Sequence, residues 1–448
     1  HRQHGHSPRQ ENSRMTMIRR LLTIAAIAAA AATAQAREWS LQECVDYAVA
    51  NNIDVRSRAL EVSSARLDLD DARNRFMPTA SGYAGQNFNF GRGLTADNTY
   101  ANRNTSSFSA GLNVNIPVFQ GLGAVRRLSY AKANLAAMLE QAEAAKDDVT
   151  LNVLSAYLQA LYSAELSAVA RERRNISARE LDRTRILVEQ GRLPELDLAS
   201  ARSQLAQDEL GAVTAAGDSA LALLDLAQIL NLDSTDGFAI AALTDSLPPL
   251  MSVDDVFASA LAGNHAMRAA GLSLEAAEKN VAVARSGYLP TLSISAGIGS
   301  NYYNSSGIPN ETFGSQMRHN FSQSIGINLS VPLFDAFGTR NSVRRARLAG
   351  ESARLRVDDT RNTLYKAICQ AHSQAMAAYQ KRTAAAAALE SAREAFRAVS
   401  IKYENGRANA TELEKAKSDY ITAMAESVRA RYESILRSRI LLFYNGDR

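Results

Sequence analysis

Two hydrophobic periods divide this chain. Over residues 107–119, Phe108, Ala110, Leu112, Val114, Ile116 and Val118 alternate with Ser107, Ser109, Gly111, Asn113 and Asn115. The same period runs through 291–302, where Leu292, Ile294, Ala296 and Ile298 alternate with Thr291, Ser293, Ser295 and Gly297. It returns in 321–334, where Ile325, Ile327, Leu329, Val331 and Leu333 alternate with Ser324, Gly326, Asn328 and Ser330. Alternation over about ten residues predicts strands with one apolar and one polar face, long enough to cross a bilayer. Residues 79–90 read as a weaker strand, with Phe88 and Phe90 its outward candidates; loops 91–104 and 303–318 are rich in Asn, Gly and Ser. Elsewhere the period is helical. After Gly123 there is no Pro or Gly until Gly191, and Leu128, Ala131, Leu135, Met138, Ala142, Ala145 and Val149 recur at 3-4-3-4 spacing. That is a coiled-coil seam made largely of small residues.

The pattern occurs twice. Residues 40–79 align with 252–291 without a gap, at an offset of 212, with Asn52/Asn264, Arg56/Arg268, Ala72/Ala284 and Pro78/Pro290 among the identical pairs. Beyond the first strands the offset is 215: Pro117/Pro332, Phe119/Phe334, Gly191/Gly406 and Arg192/Arg407. The seam repeats in register as Val343, Ala346, Gly350, Ala353, Val357, Thr360 and Leu364. A fixed period means two copies of one structural unit. Repeat 1 (37–250) is expected to hold helix 40–77, strands 79–90 and 107–119, helix 123–190, a turn at 191–195, helix 195–231 and a connector over 232–250. Repeat 2 (251–448) is expected to hold helix 252–289, strands 291–302 and 321–334, helix 338–405, a turn at 406–410 and helix 411–444.

Helix 123–190 would run roughly 100 Å, and helices 40–77 and 195–231 about 55–57 Å each. Two short helices stacked end to end equal one long one, the arithmetic of a uniform tube wall. Alternation alone also fits a soluble sandwich, but a sandwich has no use for such helices. Four strands cannot close a barrel. An unpaired edge is not tolerated in lipid and known barrels start at about 8 strands, so copies of the chain must complete it; two would give about 8 strands and three about 12.

The N-terminus sets the compartment. Met17-Ile18-Arg19-Arg20, the apolar run Leu21 to Ala32 and Ala34-Gln35-Ala36 predict a signal peptide cleaved after Ala36, too short to be a comfortable membrane span. Residues 1–16, with three of the six His, read as an upstream extension, so that the natural start is Met15 or Met17. No later stretch is expected to form a membrane helix. Charge is near balance, 50 Lys+Arg against 46 Asp+Glu, and no basic stripe points to nucleic acid. Cys44 and Cys369 are compatible with a disulfide in an oxidising compartment, though two small apolar side chains is the plainer reading. No G-x-S-x-G, H-E-x-x-H, Walker A or C-x-x-C motif occurs, and His265, His319 and His372 fall in separate segments. An enzyme is not expected, nor any cofactor or metal.

The turn sequences carry the sharpest signal: Gly191-Arg192-Leu193-Pro194-Glu195-Leu196-Asp197, and Gly406-Arg407-Ala408-Asn409-Ala410-Thr411-Glu412. A glycine ending each long helix suits the left-handed conformation, and an acid in the first turn of the next helix suits its dipole. With the strands and helices, these residues resemble the TolC-type outer-membrane efflux protein family across essentially the whole mature chain. The resemblance implies a mixed α and transmembrane β fold: a homotrimeric 12-stranded outer-membrane β-barrel continued by a long periplasmic α-helical coiled-coil barrel. It implies turns (Gly191, Arg192, Leu193, Gly406, Arg407, Ala408) that dock a periplasmic adaptor, and an inner-membrane transporter of RND, ABC or MFS type that supplies energy. It also implies a periplasmic gate, in which Tyr403 bonds Asp197 and Glu412 matches the first acidic ring. Lys415 stands where the second ring is acidic, and Ala408 where the family latch has an Arg, with Arg407 adjacent. The function implied is an exit duct of a tripartite efflux or type I secretion system in the outer membrane of a Gram-negative bacterium. The competing reading is a periplasmic adaptor or coiled-coil scaffold, but adaptors carry one helical hairpin and this chain has two.

Overall fold

The computed structural model describes residues 38–94, 98–235, 237–243 and 249–446. The signal peptide and N-terminal extension lie outside the described residues, as does part of the 232–250 connector. Repeat 1 contains β1 (Glu38–Trp39), α1 (Leu41–Asn51), α2 (Ile53–Asn74), β2 (Thr79–Asn89), β3 (Arg92–Leu94), β4 (Tyr100–Asn102), β5 (Thr105–Gln120), α3 (Gly123–Glu189), α4 (Glu195–Leu230) and β6 (Ala239–Ile240). Repeat 2 contains α5 (Val253–Gly263), α6 (His265–Arg285), β7 (Thr291–Ser305), α7 (Phe313–His319), β8 (Ser322–Ser330), α8 (Gly338–Glu404) and α9 (Ala410–Asn445). The segments interleave into two units. One is built from 57–144 with 263–365, the other from the described part of 1–56 with 145–262 and 366–446.

The first unit is organised by an antiparallel sheet of order β2-β5-β7-β8. Its two hairpins have one register. Gly82 faces Leu112 in β2–β5 and Thr79 faces Asn115; the repeat offsets turn these into Ile294 facing Ile327 and Thr291 facing Ser330, the pairs found in β7–β8. β5 and β7 join the hairpins, with Leu112 opposite Ile298 and Ile116 opposite Ile294. Direct partners share a face, so Leu112, Val114, Ile116, Leu292, Ile294, Ile298, Ile325, Ile327 and Leu329 form one stripe. Ile325, Ile327 and Leu329 stand exposed on it. The other face carries Ser, Asn and Gly. There the Tyr83 ring covers the glycines of neighbouring strands: a Cβ on Gly111 would lie 2.8 Å from the Tyr83 hydroxyl. Among the described residues β2 and β8 each have a single strand partner, leaving two sheet edges open.

Beside the sheet, α2 packs on α3 through Leu69, Ala72 and Ala131. The α8 seam is sharply drawn: Val343, Ala346 and Leu364 are buried and Gly350, Ala353, Val357 and Thr360 half-buried, while most residues between them are exposed.

The second unit is helical. Cys44, Ala48, Val153, Tyr157, Leu226 and Leu230 form its largest apolar cluster. Tyr157 reaches from α3 to the short parallel pair β1–β6, its hydroxyl 2.6 Å from Ala241 O and 3.0 Å from Trp39 O. Its one proton goes to the nearer carbonyl, since Trp39 O already accepts from Ala241 N–H. Both cysteines are free, and burial, helped by Glu43, pushes the Cys44 thiol up to about 12.

Several sequence expectations need correction. Helices 40–77 and 252–289 are each broken, at the identical pair Asn52 and Asn264. Both residues are extended (ψ 136° and 120°), and their side chains accept from Asp54 N–H and Met267 N–H. An Asn side chain competes with the helical ladder for backbone donors, and here it wins twice. The connector contributes β6, held by two-residue pairing with β1. The loop 91–104 contains the antiparallel pair β3–β4, and the loop 303–318 contains α7, whose Phe313 packs on Tyr302 and Phe108. Finally, the strand expected over 321–334 ends at Ser330; α4, with mean hydropathy 1.4 over its most apolar window, matches a membrane helix in length and composition only. Few ionic residues interrupt its alanines and leucines, and Leu210, Val213, Leu221 and Leu224 stand uncovered on it.

Replacing Tyr157 by Phe leaves Ala241 O without its side-chain donor, and the expected loss is about 1–2 kcal/mol. Thermal unfolding of the detergent-solubilised protein, followed by Trp39 fluorescence, should show a lower midpoint. An unchanged midpoint would mean that the hydroxyl does not secure β1–β6.

Candidate functional site at the hairpin turns

Each long helix ends in the same way. At the first turn, Arg192 N–H bonds Leu187 O and Gly191 N–H bonds Val188 O; at the second, Arg407 N–H bonds Lys402 O and Gly406 N–H bonds Tyr403 O. These are paired Schellman closures. Gly191 and Gly406 sit at φ +70° and +68°, with open space where a Cβ would lie. Glycine is therefore required for its torsion and not for room. Arg192 and Arg407 are exposed, Leu193 and Ala408 half-buried.

The returning helices start differently. Pro194 caps α4 without a side-chain bond, and Asp197 N–H bonds Pro194 O. Asn409 caps α9, accepting from Glu412 N–H at 2.8 Å while its amide approaches Glu412 Oε1 at 3.3 Å. Glu412 is thus occupied as a capping acid. Exposed Lys415 pairs with Asp419 at 2.8 Å.

Tyr403 is half-buried and faces Arg183, whose guanidinium lies 5.7 Å from the ring centroid. Arg183 also bonds Glu404 at 2.9 Å. Among the described residues no bond joins the Tyr403 hydroxyl to Asp197. Arg183 was not visible as a site residue in the sequence, although its repeat counterpart is Ala398, and that difference between the halves was the available signal.

The larger omission is Lys417, which is fully enclosed. Its ammonium has three donors, and all three are used: Ser177 Oγ at 3.0 Å, Glu180 at 2.9 Å and Glu414 at 2.5 Å. Ser177 in turn donates to Asp208, which also takes Gln204. Arg173 Nε lies 2.7 Å from Asp208, close in distance but with its N–H aimed elsewhere. The cluster fastens α9 to α3 and α4 between the turns and the apolar core. Desolvation pulls the Lys417 pKa down, but its bonds to Glu414 and Glu180 outweigh that and raise it. Burial raises Glu180 against the lowering pull of Lys417.

The family described as outer membrane efflux protein matches residues 44–232 and 256–443, one stretch in each repeat. The chain is 26% identical to Protein CyaE of Bordetella pertussis over 415 residues, covering 90% of this chain and 83% of that one. It is 24% identical to outer membrane protein TolC of Vibrio cholerae, covering 92% of each. Its fold is similar to the Campylobacter jejuni CmeC outer membrane channel, with TM-score 0.76 and 19% identity over 91% of this chain and 85% of that one.

Lys417→Met leaves Glu180 and Glu414 without their shared cation. The expected cost is about 3 kcal/mol, the scale for breaking a buried pair from one side, and Glu180→Gln added to it should recover part. Chemical denaturation of the two variants checks both outcomes. Because the Lys417 pKa is raised, its stabilisation is complete below 10.5 and is lost as pH rises through the higher folded value. Wild type should therefore lose more stability than Lys417→Met on strong alkalinisation.

Proposed function

The chain belongs to the outer membrane efflux protein family, and we propose that it is the passive exit duct of a tripartite efflux or type I secretion system. Family membership makes it a non-enzymatic outer-membrane channel of a Gram-negative bacterium, with a large periplasmic helical portion. The finer reading is a homotrimer whose sheets close into a 12-stranded barrel. The observation that carries it is the sheet with two open edges and one apolar face. Strands of 9 to 16 residues reach across a bilayer, and their exposed Ile and Leu suit lipid, while the Ser and Asn face suits a wet lumen. Open edges in hydrocarbon leave backbone donors and acceptors without partners; sister copies supply them. The adaptor and scaffold readings fall away, because the family is one of channels.

In this reading the Gly191 and Gly406 turns, with Arg192, Leu193, Arg407 and Ala408, dock a periplasmic adaptor. An inner-membrane transporter of RND, ABC or MFS type supplies the energy. Asp197, Tyr403, Glu412 and Lys415 form the periplasmic gate, and Arg183 joins them through its contact with Tyr403. Lys415 makes the constriction less acidic than two rings of carboxylates would.

Insertion of the purified protein into planar bilayers tests the duct. Small, stable single-channel steps are expected, and Arg183→Ala with Tyr403→Phe should enlarge them; unchanged conductance would remove both residues from the gate. Gly191→Leu and Gly406→Leu meet no clash, and the left-handed strain costs roughly 1–2 kcal/mol per site. Oligomers should persist in the outer membrane while export falls. Export at wild-type level would show that the turns do not dock the adaptor.

A further inference from the structure

At the outer end of the sheet β7 runs past β8. Their pairing stops at Gly299 with Ser322, while β7 continues to Ser305. Beyond that point side-chain carboxamides take over. Asn320 donates to Asn301 O at 2.7 Å. Gln316 of α7 accepts from Tyr303 N–H and donates to Tyr303 O, both at 2.9 Å. Asn310 accepts from Ser305 N–H at 3.1 Å and donates to Ser305 O at 2.9 Å. A carboxamide offers both a donor and an acceptor, as a peptide group does, so these three stand in for strand and cover the edge. In the first repeat the counterparts of Asn301 and Asn320, Asn89 and Thr105, form an ordinary strand pair.

That bonding fixes where α7 lies. Its Phe313 packs on Phe108 and Tyr302, and Ser300 Oγ donates to Met317 O at 2.7 Å. Ser300, Tyr302 and Phe108 share the parity of Ile298 and Leu112, so α7 rests on the apolar face, at its outer limit. From Leu292 to Ser300 a strand advances about 26 Å, or about 20 Å of height at a barrel tilt near 40°. That is most of the apolar band of an outer-membrane barrel, which puts α7 at the level of the outer-leaflet headgroups. Phe313 in α7 and Phe321 just after it are 50% and 54% exposed, in the manner of aromatic residues at a membrane boundary. Phe313 and Gln316 contact the strands, and helical spacing turns Arg318 away from them. Glu311 is engaged by Ser315 at 2.9 Å and His319 at 3.4 Å. Arg318 is exposed. Among the described residues it meets no carboxylate, and its Nε reaches only Gly314 O, at 3.4 Å.

We propose that α7 is a docking surface for phosphate-bearing lipid headgroups of the outer leaflet, with Arg318 holding the phosphate and Phe313 and Phe321 at the boundary with the acyl chains. The proposal rests on the reading of the sheet as the membrane wall. Covering the β7 edge accounts for Asn310, Gln316 and Asn320, but it makes no use of Arg318. A helix of 7 residues is not stable by itself, and the carboxamides hold this one as a rigid platform. The guanidinium fork matches a phosphate through two parallel bonds, and an anion at this level supplies the partner that the chain does not. The two outer loops carry Arg92, Arg103 and Arg318 against Asp97 and Glu311, so their net charge also favours an anionic surface.

Lipid retention tests the surface. The protein is purified in a non-ionic detergent and mixed with lipid A, the phosphorylated glycolipid anchor of the Gram-negative outer leaflet, and the lipids retained are counted by native mass spectrometry. Lipid A stripped of its phosphates should be retained about fivefold less than the phosphorylated form, the scale of one basic residue's pull on an anionic lipid. Arg318→Gln should erase that difference while leaving single-channel steps unchanged. Equal retention of the two forms by wild type overturns the proposal, as does equal retention of the phosphorylated form by wild type and Arg318→Gln. Inorganic phosphate at the concentration of the lipid should displace none of it; displacement would mark a plain anion site and overturns the choice of a lipid. Hydrogen exchange reports whether α7 is in place: the amides of Tyr303 and Ser305 should be protected in wild type and variant alike, and fast exchange in wild type contradicts the carboxamide cover. A protein that forms neither oligomers nor channels sinks the duct reading itself, whereas normal steps without a preference for phosphate remove only the lipid surface.

Discussion

The backbone hydrogen bond in hydrocarbon is the constraint on which this molecule turns. Water cannot satisfy a strand edge inside a bilayer, and each orphaned group costs several kcal/mol. This chain has a sheet of the right length and polarity for a membrane, yet too few strands to close it. The same shortage recurs in the helical unit, where apolar residues of α4 and α8 stand without cover. A single copy is therefore an unfinished object in both units. In the proposed assembly, sister copies cover these surfaces.

Duplication explains most of the construction. One unit of helices, hairpin and long coiled coil serves twice, down to matching hairpin registers and matching Schellman turns. The informative places are those where the copies disagree. Lys417 is enclosed by Ser177, Glu180 and Glu414, whereas Arg202, its counterpart, has Ala392, Ala395 and Ala199 at the matching positions. Arg183 holds Tyr403, and its counterpart is Ala398. Both deviations tie the second hairpin to the first within one chain. Within the chain, ion pairs thus add to apolar packing where the second hairpin meets the first.

Periodicity made much of this legible. Alternating side chains, a 3-4 seam and glycines at the turns are local signals, and each marks an element of the structure. The paired asparagines at 52 and 264 were visible as identities but not as breaks, because a helix boundary depends on whether an Asn side chain caps or points away. The β1–β6 pair escaped because two residues carry no period. The Lys417 cluster escaped for a deeper reason: its members lie on α3, α4 and α9, up to 244 residues apart between Arg173 and Lys417, and only packing brings them together. Among the site residues, the turns were readable from local chemistry. The contact partner of Tyr403 was not.

The central claim is that the membrane sheet is completed by sister chains, and the mass of the detergent-solubilised particle tests it most directly. Native mass spectrometry on protein extracted from outer membranes should give a particle of three chains, stable until the sheet itself unfolds. A folded single chain, above all one that stays in solution without detergent, would contradict the account.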